Sequence, residues 1–421
     1  MLYRVDPANS DNIVFQMKTN SRLLCTADEI VELAQVLSGA QVIAFDTEFI
    51  RESTFFPIVE VIQVATDSES WLVDARAFKK NHRHDDPLAF HQEIRPLLDV
   101  FTNPNILKMV HAAQGDQECL FTSFGIVASP ILDTAVAAAL CGLGDGIGLG
   151  KLLKVVLDVT VAKGHARTNW SVRPLPEQLI EYAHSDVIHL VRLGETLLSR
   201  LDHVGRKKWA LDLSAQFENK SLYQSDYEEL TQKLARGGRL DKKGYAALRE
   251  LVKWREDRVR HLNLPRRWVA DDQVLVDLAH VRPKDVAHLS TFRGLNKGEL
   301  KHQGEIILAA LKKSQEQEDR TVPVFAKQPI PTADESQVLE LLRCYVGILA
   351  DRYRIAAKHL MTTSKLLPLL RSEVKKPEDL FREGILSEQA SQLIGAELID
   401  FVQGKRALVV RNSQVEVVQV P

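Results

Sequence analysis

The apolar residues divide the chain into two parts with different secondary structure. Before about Gly205, short runs rich in Val and Ile alternate with helical patterns, whereas after it the pattern is helical throughout. The predicted strands are Val42–Asp46, Val59–Thr66, Trp71–Asp74 and Leu107–His111. We therefore expect a mixed sheet flanked by helices in the first part and all-α structure in the second.

Six helices are predicted in the first part, and the last has the clearest apolar stripe. They are Ala27–Leu37, Phe90–Phe101, Gln117–Phe124, Thr134–Leu140, Leu149–Leu157 and Pro176–Leu201. The first three strands follow one another at intervals of roughly ten residues, which favours antiparallel neighbours joined by short turns.

The helical part contains two blocks of similar length. We predict an α/β domain at 1–205, a helical connector at 206–239, a first block at 240–313, a proline-containing linker at 314–336, a second block at 337–404 and a tail at 405–421. The similar helix order of the two blocks indicates a diverged tandem repeat. The alternating valines of the tail are compatible with a strand or a loose end.

Composition limits the class of protein. The 421 residues are 45% hydrophobic and 26% charged, as in globular proteins. No apolar run approaches the ~20 residues of a membrane helix, and the first residues lack a signal pattern. The four cysteines are far apart without a CxxC pair, which argues against a disulfide framework or a structural zinc. We expect a cytoplasmic monomer with no membrane partner.

Charge is distributed unevenly although the net charge is only −2. Residues 1–210 carry 20 Lys and Arg against 26 Asp and Glu, and residues 211–421 carry 34 against 30. The excess is concentrated in residues 242–313, with 16 basic against 9 acidic side chains. This pattern suggests a metal-binding domain joined to a polyanion-binding one; an ordinary solvated face is the alternative.

Two carboxylates end the first predicted strand. Asp46 and Glu48 are two residues apart, so their side chains leave the strand on one face. They repel one another unless a proton or a cation lies between them, and Mg²⁺ prefers such oxygen ligands. A polar strand end is the alternative interpretation.

Three further polar residues extend this pattern. Asp116 opens the helix after the strand that ends at His111, where a helix N-cap is its alternative role. Tyr182 and Asp186 are spaced i and i+4, on one face of a helix and beside its apolar stripe. A polar pair at that margin is costly to bury unless a metal ion or water offsets the cost.

The order Asp-x-Glu, Asp and Tyr-x3-Asp resembles the DEDD exonuclease superfamily, in the branch with tyrosine in its third motif. The flanking segments Asp46–Pro57, Ile62–Val64, His111–Ala113, Ile131–Thr134 and Thr168–Leu175 are similar to the ribonuclease D family. In the first helical block, Leu251–Arg255, Leu264–Val269 and Leu289–Gly304 resemble HRDC modules. The resemblance implies a ribonuclease-H-like 3′–5′ exonuclease domain followed by two all-α HRDC domains.

The resemblance also implies a chemistry. Asp46, Glu48, Asp116 and Asp186 would hold two divalent metal ions, Mg²⁺ or Mn²⁺, and Tyr182 would orient or help to deprotonate the attacking water. The substrate would be RNA with a free 3′ end, tRNA precursors and other small stable RNAs in particular, and the products nucleoside 5′-monophosphates. A DNA 3′–5′ exonuclease and an inactive RNA-binding scaffold are the alternatives.

Several other residues are candidates for substrate contact. Phe49, His111, Trp170 and Arg173 could line a terminal-nucleotide pocket, with core packing as the alternative for Phe49 and Trp170. The run Pro265–Trp268 fits contact with a nucleic-acid backbone, although Trp254 and Trp268 are themselves expected in the core. Glu60 is unexpected because it lies in an apolar strand. Lys163 stands near the position where the ribonuclease D family often has a lysine before its tryptophan. His82 and His84 fit a solvated loop.

Overall fold

The computed structural model describes residues 18–79, 92–161, 168–224, 226–236, 240–316 and 330–420. The residues His82, His84 and Lys163 lie outside these ranges. Within them, no helix is both long and apolar enough to cross a membrane.

A six-stranded mixed sheet forms the centre of the first part. Its strands are β1 (Lys18–Leu24), β2 (Val42–Ile50), β3 (Ile58–Ala65), β4 (Glu69–Asp74), β5 (Leu107–Val110) and β6 (Ile131–Asp133). Their order in the sheet is β1-β4-β3-β2-β5-β6. β3 is antiparallel to both β2 and β4, which confirms the predicted arrangement. The strands β1 and β6 were not predicted, and β5 and β6 continue the sheet parallel to β2.

Among the described residues before Gly205, seven α-helices flank this sheet. They are α1 (Ala27–Ser38), α2 (Arg95–Phe101), α3 (Gln114–Phe124), α4 (Thr134–Leu140), α5 (Leu149–Leu157), α6 (Glu177–Val187) and α7 (Leu190–His203). Local sequence fixes several of their ends: Thr26 and Glu29 form a capping box at the start of α1, and the Asp133 side chain caps α4. The predicted helices Ala27–Leu37, Gln117–Phe124, Thr134–Leu140 and Leu149–Leu157 agree with these bounds within three residues. Of the predicted helix Phe90–Phe101, Phe90 and His91 lie outside the described ranges, and α2 begins only at Arg95.

The single helix predicted over Pro176–Leu201 is wrong, because the chain breaks it at Ile188 and His189. The two resulting helices both contact β2 but extend over different parts of the sheet. α6 also packs on β1, β3 and β4, whereas α7 also packs on β5 and against α4 and α5. A twisted sheet does not present both surfaces to one straight helix.

The remaining helices form the second part of the chain. The connector contains α8 (Lys207–Ala215) and α9 (Tyr227–Ala235). The first block contains α10 (Lys242–Leu262), α11 (Arg266–Val269), α12 (Asp272–Val281), α13 (Val286–Leu289) and α14 (Lys297–Glu316). The second contains α15 (Ala333–Tyr353), α16 (Ala357–Leu360), α17 (Leu366–Arg371), α18 (Pro377–Arg382) and α19 (Glu388–Val402). α15 thus begins inside the predicted linker. The tail is a hairpin of β7 (Arg406–Arg411) and β8 (Gln414–Gln419).

The two helical blocks attach to the α/β domain in different ways. The second block buries Leu349 and Ile394 in the same continuous apolar core as Leu152 and Leu193 of the α/β domain. The first block has a core of its own, into which Phe55 of the α/β domain projects. Asn263, at the end of α10, accepts hydrogen bonds on Oδ1 from the backbone N–H groups of Phe55 and Phe56, at 3.0 and 2.9 Å.

Candidate active site

β2 presents the two predicted carboxylates on one face. Ile43 and Phe45 are buried on the opposite face against α1 and α2. Asp46 and Glu48 alternate with them and are half-buried. The prediction that these two side chains project together is therefore consistent with the strand that the structure describes.

Thr47, between these carboxylates, holds the third one. Its backbone N–H and its hydroxyl both donate to Asp116 Oδ1, at 3.0 and 2.5 Å. Asp116 is buried in the first turn of α3, but the N-cap of that helix is Ala113. The alternative role of Asp116 as N-cap is thus excluded, and its carboxyl group faces the end of β2.

Asp133 fixes the loop that leads into α3. Its carboxylate accepts hydrogen bonds from the backbone N–H groups of Ala112, Ala113 and Ala135, at 3.0, 3.0 and 2.8 Å. Ala112 has a φ of 60°, a strained value for a residue with a side chain. The bonds to Ala112 and Ala113 stabilise this turn and so determine where α3, which carries Asp116, begins.

α6 carries the last two predicted residues to the same face of the sheet. Tyr182 and Asp186 are half-buried and share a side-chain hydrogen bond, as expected for i and i+4 positions. The ring of Tyr182 lies 6.1 Å from that of Trp170, between ring centroids. The ring of Tyr182 therefore packs against Trp170, and its hydroxyl group is directed toward the carboxylates.

The four carboxyl groups perturb one another. Burial and then the charges of Asp116, Asp186 and Glu48 raise the pKa of Asp46 well above its usual range. Burial, followed by Asp186 and Asp116, raises the pKa of Glu48 to about 8. Burial raises the pKa of Asp116 and of Asp186 to about 6. This concentration of negative charge is unfavourable at neutral pH unless protons or cations neutralise it.

The donor set fits divalent metal ions in its chemistry. All four groups offer hard carboxylate oxygens, which Mg²⁺ and Mn²⁺ prefer. Within the described ranges, however, no three His, Cys, Asp or Glu side chains stand in the compact arrangement of a preformed metal cage. Asp46 and Asp116 instead share a hydrogen bond in this structure.

Of the aromatic candidates for substrate contact, one lies in the core. Trp170 is 2% exposed and packs with Val61, Leu72 and Leu179, so core packing accounts for it. Phe49 is half-buried and packs on the core beneath α3.

The two basic candidates are held by neighbouring groups. His111 Nδ1 lies 2.9 Å from the hydroxyl oxygen of Thr134, and burial lowers the pKa of His111. The guanidinium of Arg173 donates to both carboxylate oxygens of Asp74, at 2.8 and 2.7 Å. It also donates to the backbone oxygens of Glu60, Trp170 and Val172. These contacts indicate that Arg173 anchors the segment around Trp170, and its contact with substrate stays a prediction.

The unexpected Glu60 lies at an irregularity of the sheet. Glu48 pairs with Val61 and Phe49 with Val59, so Glu60 is the extra residue of a β-bulge. Its buried carboxylate lies 3.3 Å from Lys79 Nζ. The bulge explains why the strand tolerates a charged residue at this position.

A large cleft lies between α3, the loop after β2 and the helices that follow the α/β domain. Its volume is about 1320 Å³, and α3 contributes Gln114 and Glu118 to its wall. The loop after β2 contributes Arg51, and the block contributes Arg267 and Trp268. Trp268 is 51% exposed, so the expectation that it belongs to the core is wrong, whereas Trp254 is buried as expected.

Comparisons with known proteins agree with the fold. A model of the 3′–5′ exonuclease family matches residues 22–202, and a model of the HRDC domain matches residues 245–311. Ribonuclease D of Nitrobacter hamburgensis is 30% identical over 394 residues, which cover 93% of this chain and 98% of the relative. Ribonuclease D of Bartonella henselae is 29% identical over 378 residues, 89% of each chain.

A solved structure supports the same architecture. The crystal structure of Escherichia coli RNase D, described as an exoribonuclease involved in structured RNA processing, superposes with a TM-score of 0.72. It is 24% identical and covers 89% of this chain and 99% of its own, which shows a common fold. The chain therefore belongs to the ribonuclease D family and is a 3′–5′ exoribonuclease.

Proposed function

We propose that Asp46, Glu48, Asp116 and Asp186 hold two divalent cations, Mg²⁺ or Mn²⁺, at which RNA 3′ ends are hydrolysed to nucleoside 5′-monophosphates. The observation that carries this proposal is the convergence of four carboxyl groups at one face of the sheet, where Thr47 holds Asp116 at the end of β2 and burial raises the pKa of all four groups. When bound, such ions polarise the phosphate and supply hydroxide from water. The role of the chain is to supply their ligands and to orient the water and the RNA.

Tyr182 is proposed to orient the attacking water through its hydroxyl. Burial, followed by the charges of Asp186 and Glu48, raises the pKa of Tyr182, so the phenol stays protonated at neutral pH. A protonated phenol donates a hydrogen bond but does not remove a proton from water. Of the two roles implied by the resemblance, these charges favour orientation over deprotonation.

We infer that the RNA strand approaches through the cleft beside α3. Trp268 offers an exposed ring on which a base can stack, and Arg267 beside it offers an exposed charge for a phosphate. Acidic groups such as Glu118 and Asp226 also line the cleft, and Glu118 is paired with Arg51 at 2.5 Å. Phe49 and His111 remain proposed contacts for the terminal nucleotide.

The second helical block is proposed to be a diverged HRDC domain. The order of helix lengths supports a repeat: α10 and α15 each have 21 residues and are followed by four-residue helices, α11 and α16. Asn263 and Arg354, which end the two long helices, both adopt the left-handed conformation. We further propose a cytoplasmic monomer that matures the 3′ ends of tRNA precursors and other small stable RNAs.

One experiment tests the nucleotide specificity and the metal requirement together. RNA and DNA oligonucleotides of the same sequence, each labelled at the 5′ end, are incubated with the full chain in Mg²⁺ or in EDTA. We expect the RNA to shorten one nucleotide at a time from its 3′ end in Mg²⁺ alone. Faster shortening of DNA would favour the DNA exonuclease, and cleavage in EDTA would contradict the metal assignment.

A further inference from the structure

A glutamine lies directly beside the first catalytic carboxylate. Gln63 on β3 is the cross-strand partner of Asp46 on β2. Directly opposed residues of an antiparallel pair project from the same face, with Cβ atoms roughly 5 Å apart. Gln63 thus shares the face that bears the carboxylates, although it belongs to a different strand.

Gln63 is fully buried and its amide makes no hydrogen bond within the described residues. Its exposed fraction is 0%, and neither Oε1 nor Nε2 has a partner there. Burial of an unpaired amide destabilises a fold, so such groups are rare away from functional sites. The packing of the core alone would favour an apolar side chain of the same length.

A second buried glutamine shows what a structural role requires. Gln117 is also 0% exposed, but its Nε2 donates to the carbonyl oxygen of Ala128 at 2.8 Å. Its Oε1 accepts from the backbone N–H of Ala128 at 2.7 Å. Gln117 therefore links α3 to the segment around Ala128. The amide of Gln63 makes no such link within the described residues.

The surroundings of Gln63 indicate where its amide is directed. Val61 and Ala65, its neighbours on the same face of β3, pack in apolar clusters. Leu72, its partner on β4, is also apolar. α6, which carries Asp186, packs over β3. Asp46 is therefore the polar side chain that the sheet register places directly beside this amide.

We propose that Gln63 is a positioning residue, whose amide N–H donates to the Asp46 carboxylate when a divalent cation is bound. This inference rests on the proposed function of Asp46 as a metal ligand. A metal ligand carboxylate is oriented by hydrogen bonds from groups that do not touch the ion, and loss of such a group weakens metal binding about 10–100-fold. In this structure Asp46 accepts from the Thr47 N–H at 2.9 Å and hydrogen-bonds to Asp116.

The test compares Gln63→Met with Gln117→Met in the full chain. Methionine preserves the length and the unbranched shape of glutamine but has no amide. The melting temperature is measured in EDTA and across a MgCl₂ titration, and RNA hydrolysis is measured for kcat and KM.

In EDTA we expect Gln63→Met to melt at or up to about 2 °C above the wild type, since an unpaired amide has been removed. Gln117→Met is expected to melt lower, because two hydrogen bonds are lost. The Mg²⁺ concentration that gives half of the thermal shift should rise about tenfold for Gln63→Met. Its kcat should fall at fixed Mg²⁺ while KM for RNA stays near the wild-type value.

A Gln63→Met variant with the wild-type response to Mg²⁺ would overturn the inference. If that variant also melted at a lower temperature than the wild type in EDTA, Gln63 would be a packing residue. If the wild type itself shows no thermal shift with Mg²⁺, the metal assignment fails before the role of Gln63 is reached.

Discussion

Thr47 binds Asp116 through two donors to a single carboxylate oxygen, its backbone N–H at 3.0 Å and its hydroxyl at 2.5 Å. Thr47 lies between Asp46 and Glu48 but points to the opposite face of β2. One tripeptide therefore provides two carboxylates directly and orients a third from a helix 69 residues further along the chain.

We predict that Thr47→Val lowers kcat about tenfold or more with little change in overall structure. Valine keeps the shape of threonine but removes the hydroxyl, and a hydrogen bond to a charged group contributes ~1.5–3 kcal/mol. The measurement is kcat at saturating RNA across a Mg²⁺ titration. Thr47→Ser keeps the hydroxyl and should retain most of the activity; equal activity of the valine and serine variants would show that Asp116 does not depend on this bond.

We predict that Asp46→Ala or Asp186→Asn abolishes hydrolysis while RNA binding is largely intact. Each change removes a proposed metal ligand and no contact in the cleft. Hydrolysis is followed on labelled RNA in Mg²⁺, and binding by fluorescence anisotropy in EDTA. Substantial residual cleavage by either variant would refute the metal assignment, and loss of binding would place these residues in RNA recognition.

Tyr182→Phe should lose most of its turnover but keep its fold, because only a hydroxyl is removed. Proton transfer by a positioned side chain typically contributes about 10²–10⁴-fold to a rate, and for a hydroxyl that only orients the water we expect a loss near the lower end of that range. The ring contact with Trp170 is preserved, so the melting temperature should change little. A kcat near that of the wild type would leave the phenol with a packing role alone.

Without divalent cations, the stability of the protein should fall as pH rises from about 4 to about 8. Unfolded carboxyl groups lose their protons near pH ~4, whereas Asp116 and Asp186 hold theirs to about 6 and Glu48 to about 8. Across this window the native state binds more protons than the unfolded state, so the free energy of unfolding decreases with pH.

This pH dependence can be measured by thermal melts in EDTA and in Mg²⁺. The cation should raise the melting temperature more at pH 8 than at pH 5, because protons compete with it for the carboxylates. Asp186→Asn removes one charge and should flatten the decline in EDTA. A melting temperature that rises with pH in EDTA would contradict the proposed charge repulsion.

The hydrogen bonds between Asn263 and the loop after β2 should affect RNA hydrolysis, although Asn263 lies outside the α/β domain. Asn263→Gly keeps the left-handed conformation, φ 50°, but removes the acceptor for the Phe55 and Phe56 N–H groups. We expect KM for RNA to rise and the melting temperature to fall. Asn263→Asp keeps the acceptor oxygen and serves as the matched control; indistinguishable glycine and aspartate variants would show that the link is dispensable.

The central strands and the common face of Asp46 and Glu48 were predictable because their signals are local. The apolar run that ends in Asp46 and Glu48 carries both the strand and its facing side chains within one segment. Strands β1 and β6 were missed for the opposite reason. β6 has three residues, Ile131–Asp133, and β1 forms by pairing with β4, so neither has a periodic signal of its own.

The residues that orient the site were harder to find because they act through contacts distant in sequence. Asp133 precedes a helix, and its position before Thr134 could have indicated an N-cap, but its bonds to Ala112 and Ala113 depend on the sheet register. The role of Arg173 as an anchor also requires the fold, since Asp74 lies 99 residues away. Tertiary packing also determines which side of α11 faces the core, and Trp268 lies on the other, exposed side.

The continuous core shared by the α/β domain and the second helical block makes residues that are synthesised later necessary for those synthesised earlier. A chain released at residue 205 would lack the side chains of the second block, such as Leu349 and Ile394, that complete the core to which Leu152 and Leu193 belong. We therefore expect such a fragment to be readily digested by protease and prone to aggregation. A nascent chain should gain its nuclease activity only once its C-terminal helices have left the ribosome.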